Sequence, residues 1–410
     1  MMLVRQVREQ RSSFGTVILG GAPMNRRQLF LRAAAVSAAA TAAPAVLPPL
    51  LAPAHAASGS LRRPLRPPAR DEVAEAVTRA ADHWISAHSD PGDNQWARAT
   101  FFSGLMALHR VTGRARHLAY ARSWAEKHDY ALHGGVTTRH ADDHNAGQAY
   151  LDLYEAEGSR DEAKIAAIED SVHRMTFTDR PGKDDDWWWD DALHMAMPPF
   201  ARLAVLRGEP AYADKLHRLY AHTKSVQGGP GLLDPATGLW YRDERFLPGG
   251  IASPGGDPVL WSRGNGWVAA GHVKTLTALA GGAAHTREYR RTLVRLLAAL
   301  RAVQREDGFW NVNLADPGHL PGPETSGTAF FAYATAYALR AGLVPRKSYE
   351  PVLARAWHGL VTTALHADGF LGHVQGVGDR PESSQPVTYE TTADFAVGAF
   401  LLAGAQLLTR

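Results

Sequence analysis

Residues 187–195 read Trp-Trp-Trp-Asp-Asp-Ala-Leu-His-Met, three aromatic rings directly followed by two carboxyl groups. If this stretch is helical, residues three and four positions apart share a face, so Trp187, Trp188 and His194 lie beside Asp191. A wall of indole rings raises the pKa of a carboxyl group and keeps a proton available near neutral pH. The alternative interpretation is a core helix whose start is capped by acidic residues.

The helical pattern of this stretch recurs along the chain from residue 71 onward, and the alternation typical of strands is almost absent. Pro198-Pro199 should kink or restart the sixth helix. The pattern predicts twelve helices in six successive pairs, with approximate ranges 71–88, 94–112, 114–128, 142–157, 159–177, 187–207, 209–225, 262–280, 287–304, 324–342, 348–364 and 391–409.

Six helical hairpins without a linker between them predict one all-α domain over residues 71–410. Such hairpins can close into an (α/α)6 barrel or stack as an open α-solenoid. The connecting stretches 226–260, 305–323 and 366–389 are long and carry aromatic residues, unlike the connectors of a solenoid. We therefore expect the closed barrel.

Residues 1–56 have the features of a cleavable export signal. Residues 25–32 read Asn-Arg-Arg-Gln-Leu-Phe-Leu-Arg, a twin-arginine pattern, and an alanine-rich apolar stretch follows. Ala54-His55-Ala56 supplies a small-x-small cleavage site, which predicts a mature chain beginning at Ala57. Met24 is the more natural start for such a signal. An uncleaved membrane anchor is the alternative.

This signal predicts that the twin-arginine machinery exports the protein to the periplasm or the exterior. After cleavage we expect no stable membrane insertion. Residues 57–70 are rich in proline and arginine and should form a flexible lead-in.

The basic excess of the chain lies in its leader. Ten of the 44 basic residues and one of the 41 acidic residues fall within residues 1–70. The remaining 34 basic and 40 acidic residues give a net charge of −6, so no basic surface for nucleic acid is expected. With no cysteine and no His-Glu-x-x-His pattern, the sequence predicts neither a metal centre nor a cofactor site.

The chemically reactive residue types cluster at the starts of the even-numbered helices. In a ring of alternating inner and outer helices, those starts all lie at one end, so the clusters should converge on one pocket. The members are Trp96 in the second helix, Asp142 and Asp143 in the fourth, residues 187–191, residues 261–267, residues 324–327 and residues 389–392.

Within this pocket, a carboxyl group of Asp142 or Asp143 should lie opposite Asp191. Repulsion between the two negative charges would raise the pKa of one carboxyl group, which then keeps its proton. The alternative is an acidic first turn that only caps the fourth helix. The planar guanidinium group of Arg263 is suited to bind a substrate carboxylate through two hydrogen bonds. The alternative interpretation is that Arg263 forms a structural ion pair with Asp243 or Glu244.

Residues 186–195 and 261–267 resemble the signatures of unsaturated rhamnogalacturonyl hydrolases, glycoside hydrolase family 105. Residues 141–148, 324–329 and 398–403 fit the same family in the same order. The related family 88 unsaturated glucuronyl hydrolases share the fold. The resemblance implies an (α/α)6 barrel and a cofactor-free hydrolase that acts on lyase-generated oligosaccharides ending in a 4,5-unsaturated uronic acid.

The resemblance also implies roles for individual residues. Asp191 would protonate C4 of the double bond and guide water to C5, after which the hemiketal opens and expels the remaining sugar. Asp142 matches the second carboxylate, with Asp143 as the other possible register. The predicted substrate contacts are Trp96, Asp143, Trp189, His194, Trp261, Arg263 and Trp267.

The expected substrate is a rhamnogalacturonan oligosaccharide with a terminal unsaturated galacturonyl unit. Unsaturated glucuronyl oligosaccharides from ulvan, gums or glycosaminoglycans are one alternative. A sugar-binding protein without catalytic activity is the other.

Overall fold

The computed structural model describes residues 67–279 and 282–409. The predicted signal region and residues 57–66 of the lead-in lie outside the described residues. The described helices are α1 Arg70–Ala87, α2 Trp96–Thr112, α3 Ala115–Lys127, α4 Ala141–Ala156, α5 Ala166–His173, α6 Ala192–Arg207, α7 Pro210–Ser225, α8 Ser262–Ala278, α9 Thr286–Ala302, α10 Thr325–Arg340, α11 Arg346–Gly359 and α12 Asp394–Leu408.

The six even-numbered helices form a closed inner ring. Each packs against the next even-numbered helix, and α12 returns to pack against α2, while the odd-numbered helices cover the outside. Burial follows this placement: residues 325–339 of α10 are all buried, whereas α9 buries only one face. The predicted (α/α)6 barrel is confirmed, and the contact between α12 and α2 excludes an open solenoid.

Small residues let the first and last inner helices approach closely. A Cβ added to Gly104 of α2 would lie 2.3 Å from the carbonyl oxygen of Gly398 in α12. A Cβ at Gly398 would in turn lie 2.3 Å from the carbonyl oxygen of Thr100. Glycine at both positions is therefore needed where the ring closes.

The two prolines of α6 do not restart the helix, which runs unbroken from Ala192 to Arg207. Proline has no N–H, so Pro198 and Pro199 leave the carbonyls four residues earlier without their helical donors. The side-chain amide of Gln148 in α4 donates to both of those carbonyls, to His194 at 2.7 Å and to Met195 at 3.3 Å. A neighbouring helix therefore replaces the hydrogen bonds that the prolines cannot make.

Two predicted helix starts are wrong. The helix predicted from residue 187 begins at Ala192, because Trp189 pairs with Asp243 in an antiparallel bridge and the N–H of Asp190 donates to the carbonyl of Arg242 at 2.8 Å. The helix predicted over 159–177 is regular only in α5, with a short 3₁₀ turn before it and a π-helical turn after it. At residues 187–191, pairing with the distant loop that carries Arg242 and Asp243 overrides the local helical pattern.

The starts of the inner helices and the long loop between α7 and α8 meet at one end of the barrel, called the mouth below. None of the described helices combines the length and apolar character required to cross a bilayer.

Candidate active site

Two carboxyl groups and one guanidinium group lie together at the mouth. Asp142 is in the first turn of α4, and Asp191 is the N-cap residue of α6 but makes no capping hydrogen bond with its side chain. Nη2 of Arg242 lies 3.5 Å from Oδ2 of Asp191. All three side chains remain partly accessible, at 26% for Asp142, 14% for Asp191 and 11% for Arg242.

The environment of Asp142 favours its protonated form. Burial, followed by the charges of Asp191 and Asp143, raises the pKa of Asp142 to about 7, although Arg242 opposes the shift. Nδ1 of His140 lies 3.8 Å from its carboxyl group. Asp142 can therefore hold or release a proton near neutral pH.

Asp143 is engaged differently from its neighbour. Its Oδ2 accepts a hydrogen bond from the hydroxyl of Thr138 at 2.6 Å, which ties the start of α4 to the preceding loop. The geometry thus leaves Asp142 free to face Asp191 and gives Asp143 a structural bond.

Trp187 and Trp188 do not share one face with Asp191, contrary to the helical interpretation. Residues 187–189 lie outside the helix and alternate in burial, as residues of an extended chain do. Trp187 is fully buried against Phe200, whereas Trp188 is 43% exposed. Trp189 lies beneath Trp188, with ring centroids 4.6 Å apart, and its other neighbour is His140 at 4.8 Å.

Trp261 and Arg263 form a buried stack behind the mouth. The guanidinium of Arg263 lies 4.3 Å from the ring centre of Trp261 and 4.9 Å from that of Phe395. Its Nη1 donates to the carbonyl of Gln375 at 2.7 Å, and its Nη2 has no partner among the described residues. Burial lowers the pKa of Arg263 to about 10, and Glu324 and Asp191 partly offset this shift.

The alternative prediction, an ion pair between Arg263 and Asp243 or Glu244, is wrong. Asp243 instead binds Arg242 at 2.7 Å and Arg245 at 2.9 Å. Arg263 is therefore a buried cation, and one of its donor nitrogens has no partner in the described ranges.

His194, Trp267 and Trp96 pack together inside the barrel. Trp267 is 1% exposed, and its ring lies 4.7 Å from His194 and 6.0 Å from Trp96. His194 is fully buried, and burial, followed by the charge of Lys274, lowers its pKa so that the ring is neutral. The prediction that His194 and Trp267 contact substrate is not met in this structure, because aromatic neighbours cover both rings.

Sequence reasoning assigned no site role to His140, placed Trp188 only in the indole wall beside Asp191, and gave the loop of Arg242 only a possible place at the rim. Arg242 belongs to a loop more than 50 positions from Asp191, so only the fold brings the two together. An extended chain places successive side chains on opposite sides. Treating residues 187–189 as extended would have predicted that Trp188 is exposed between two buried tryptophans.

The described residues contain no group of three histidine, cysteine, aspartate or glutamate side chains placed to hold a metal ion. The chemistry that the accessible mouth can provide is proton transfer by carboxyl groups beside a fixed positive charge, next to an exposed aromatic face.

Comparison with known proteins gives one family. Residues 69–410 match Glycosyl Hydrolase Family 88. An unsaturated 3S-rhamnoglycuronyl hydrolase of Formosa agariphila is 29% identical over 356 residues, covering 82% of this chain and 90% of that protein.

Solved structures with the same fold include two that match over most of this chain. A family 88 glycosyl hydrolase from Bacteroides vulgatus is 31% identical with a TM-score of 0.77, covering 83% of this chain and 99% of its own. A protein described as a polysaccharide lyase is 32% identical with a TM-score of 0.76, covering 83% of this chain and 97% of its own.

Proposed function

Because this chain belongs to glycoside hydrolase family 88, we propose that it removes a terminal 4,5-unsaturated uronic acid from lyase-generated oligosaccharides. The family assignment confirms the resemblance to unsaturated uronyl hydrolases and makes the protein a glycoside hydrolase. The observation that carries the proposal is the accessible pair of Asp142 and Asp191 beside Arg242 at the mouth.

In the proposed reaction Asp191 gives a proton to C4 of the double bond, and water adds to C5. The hemiketal formed at C5 then opens and releases the remaining sugar, so no group attacks the glycosidic carbon. Asp142 holds a proton near neutral pH and is suited to pass it to Asp191 before the transfer and to orient the water. Arg242 lies where negative charge develops on Asp191.

Two further groups fit the shape of the substrate. The exposed ring of Trp188 offers a flat face on which a sugar can stack at the entrance. The buried guanidinium of Arg263 adds a fixed positive charge behind the mouth, which favours binding of the carboxylate that every uronic acid carries. Trp189 and Trp261 support these two residues from behind.

For the substrate, we propose a rhamnogalacturonan fragment with an unsaturated galacturonyl end. The Formosa agariphila relative favours a second candidate, an unsaturated rhamnoglycuronyl fragment. Elimination by a lyase removes the configuration at C4, so galacturonyl and glucuronyl ends become alike around the double bond. The two candidates then differ in anomeric configuration and in the sugar that follows.

Ultraviolet absorbance of the double bond tests the activity on a panel of unsaturated disaccharides that vary these two features. We expect absorbance to fall with time, fastest on the rhamnose-linked galacturonyl member. A rise in absorbance on the intact polysaccharide would instead indicate a lyase, the activity by which one structural neighbour is described. Binding without any change in absorbance would indicate a sugar-capturing protein.

A further inference from the structure

Asp190 is a buried acid that the proposed reaction does not use. Its side chain is fully buried, and neither of its carboxyl oxygens has a hydrogen-bond partner among the described residues. Oδ1 of the adjacent Asp191 is also buried and unpartnered. Three carboxyl oxygens without a donor in one place are unusual, because buried polar atoms are normally hydrogen-bonded.

The surroundings hold Asp190 in this position. Its N–H donates to the carbonyl of Arg242, and its carbonyl accepts from the N–H of Leu193 at 3.2 Å. Its carboxyl group occupies the space that a side chain at Gly264 would fill, since a Cβ there would lie 2.6 Å from Oδ2 of Asp190. The barrel therefore has room for this carboxyl group only because α8 carries glycine at that point.

The charged groups that face Asp190 do not neutralise it. They are Asp191, Asp243 and Arg242, and the guanidinium of Arg242 is engaged by Asp243 at 2.7 Å and faces Asp191 at 3.5 Å. An ionised carboxylate buried without its own partner is strongly unfavourable. Burial, followed by the charge of Asp191, raises the pKa of Asp190 well above its ordinary range.

We propose that Asp190 is protonated at neutral pH and donates a hydrogen bond to Oδ1 of Asp191, acting as a positioning residue for that group. The two carboxyl groups belong to adjacent residues, and both oxygens of Asp190 and Oδ1 of Asp191 are buried without another partner among the described residues. One proton would satisfy an oxygen of Asp190 and the unpartnered oxygen of Asp191 together. Asp191 would then lie between two donors, Asp190 on Oδ1 and Arg242 on Oδ2.

This inference rests on the proposed function for its catalytic consequence. When Asp191 gives its proton to C4, the carboxylate that forms meets two donors already in place. Water supplies its hydroxyl group to C5 and returns its proton to the aspartates, while the proton of Asp190 stays on Asp190. A fixed donor of this kind strengthens the acid without being consumed.

Kinetics of two variants test the role. Asp190→Ala removes the donor and should lower kcat about 100-fold with little change in KM. Asp190→Asn keeps an N–H donor on a side chain of the same shape, so its kcat should be only about tenfold below that of wild type. Wild-type kcat in the alanine variant, or an asparagine variant no better than alanine, would overturn the proposal.

Infrared spectroscopy tests the proton without any need for turnover. The difference spectrum of wild type minus Asp190→Asn at pH 7 should contain the C=O stretch of a protonated carboxyl group. Asp152 is a matched control, since it is also buried but pairs with Arg110 and Arg202, which overcome burial and lower its pKa. Asp152→Asn should therefore lack that band.

A missing band for Asp190→Asn would overturn the proposal even if the enzyme is active. A band in a protein inactive on every disaccharide would leave the buried acid in place and refute the proposed function instead.

Discussion

At the residue scale, the carboxyl groups of the mouth differ in their surroundings. Asp142 is partly exposed and lacks a hydrogen-bonded partner within the described part of the chain, Asp143 accepts a bond from Thr138, and Asp191 faces Arg242. The sequence could place aspartates at two helix starts, but it could not distinguish Asp142 from Asp143. That distinction depends on a hydroxyl group supplied by the preceding loop.

Removal of the proposed acid should stop the reaction while the fold persists. Asp191→Asn should lower kcat at least about 1,000-fold, the scale of losing a general acid, because the amide cannot protonate carbon. The side chain makes no capping bond, so the melting temperature should change little. Asp143→Asn is the control, and similar losses of kcat in both variants would show that the acid is misassigned.

The raised pKa of Asp142 predicts a pH-dependent stability. A carboxyl group whose pKa rises on folding, here to about 7, stabilises the protein fully below the unfolded pKa near 4. That stability is lost as pH rises through 7. Asp142→Asn should therefore become more stable relative to wild type between pH 5 and pH 8, by about 1–2 kcal/mol after allowance for partial exposure.

Urea unfolding at the two pH values measures this difference. If the unfolding free energies of the variant and the wild type differed by the same amount at both pH values, the pKa assigned to Asp142 would be contradicted.

The accessible ring of Trp188 should contribute to binding rather than to chemistry. Trp188→Ala should raise KM for the disaccharide by about fivefold and leave kcat within about twofold, since a stacked ring is worth about 1 kcal/mol. Trp188→Phe keeps a flat face and should recover much of the affinity. Steady-state kinetics of both variants would contradict stacking if KM stayed unchanged.

At the scale of elements, local pattern predicted most helices to within a few residues but failed where distant segments intervene. Residues 187–191 carry a helical pattern, but they lie outside the helix, because Trp189 pairs with Asp243 in the α7–α8 loop. Conversely, Pro198-Pro199 suggested a break that Gln148 prevents. Neither contact partner is adjacent in sequence, so neither outcome was available from local reasoning.

The role of Gln148 predicts the cost of its removal. Gln148→Ala leaves the carbonyls of His194 and Met195 without donors in a buried setting, which should destabilise the protein by about 2–3 kcal/mol. Gln227→Ala removes only a 3.4 Å bond to Glu244 at the surface and serves as the control. Equal unfolding free energies for the two variants would show that α6 does not depend on Gln148.

At the scale of the whole molecule, six hairpins and the clustering of reactive residues at even-numbered helix starts predicted the closed barrel and the end that carries the mouth. Which side chains remain accessible there could not be predicted. Trp267 and His194 lie on the correct inner helices, yet aromatic neighbours cover them. Arg242 comes from a loop whose path only the folded chain defines.

Export is a property of the whole chain, and we propose that the twin-arginine signal directs it. Replacing Arg26 and Arg27 together by lysine should retain the protein in the cytoplasm, because that machinery recognises the arginine pair. The exported protein should begin at Ala57 by N-terminal sequencing. Export of the double-lysine variant at the wild-type level would contradict the proposed route.

In the proposed reaction, one proton transfer to the double bond releases the terminal sugar. The most direct measurement follows double-bond absorbance and released sugar in the same reaction. The hydration route predicts that the two change in step, mole for mole, from the first time point. Release of sugar while the double bond persists would mean direct cleavage at the glycosidic carbon and would contradict the account.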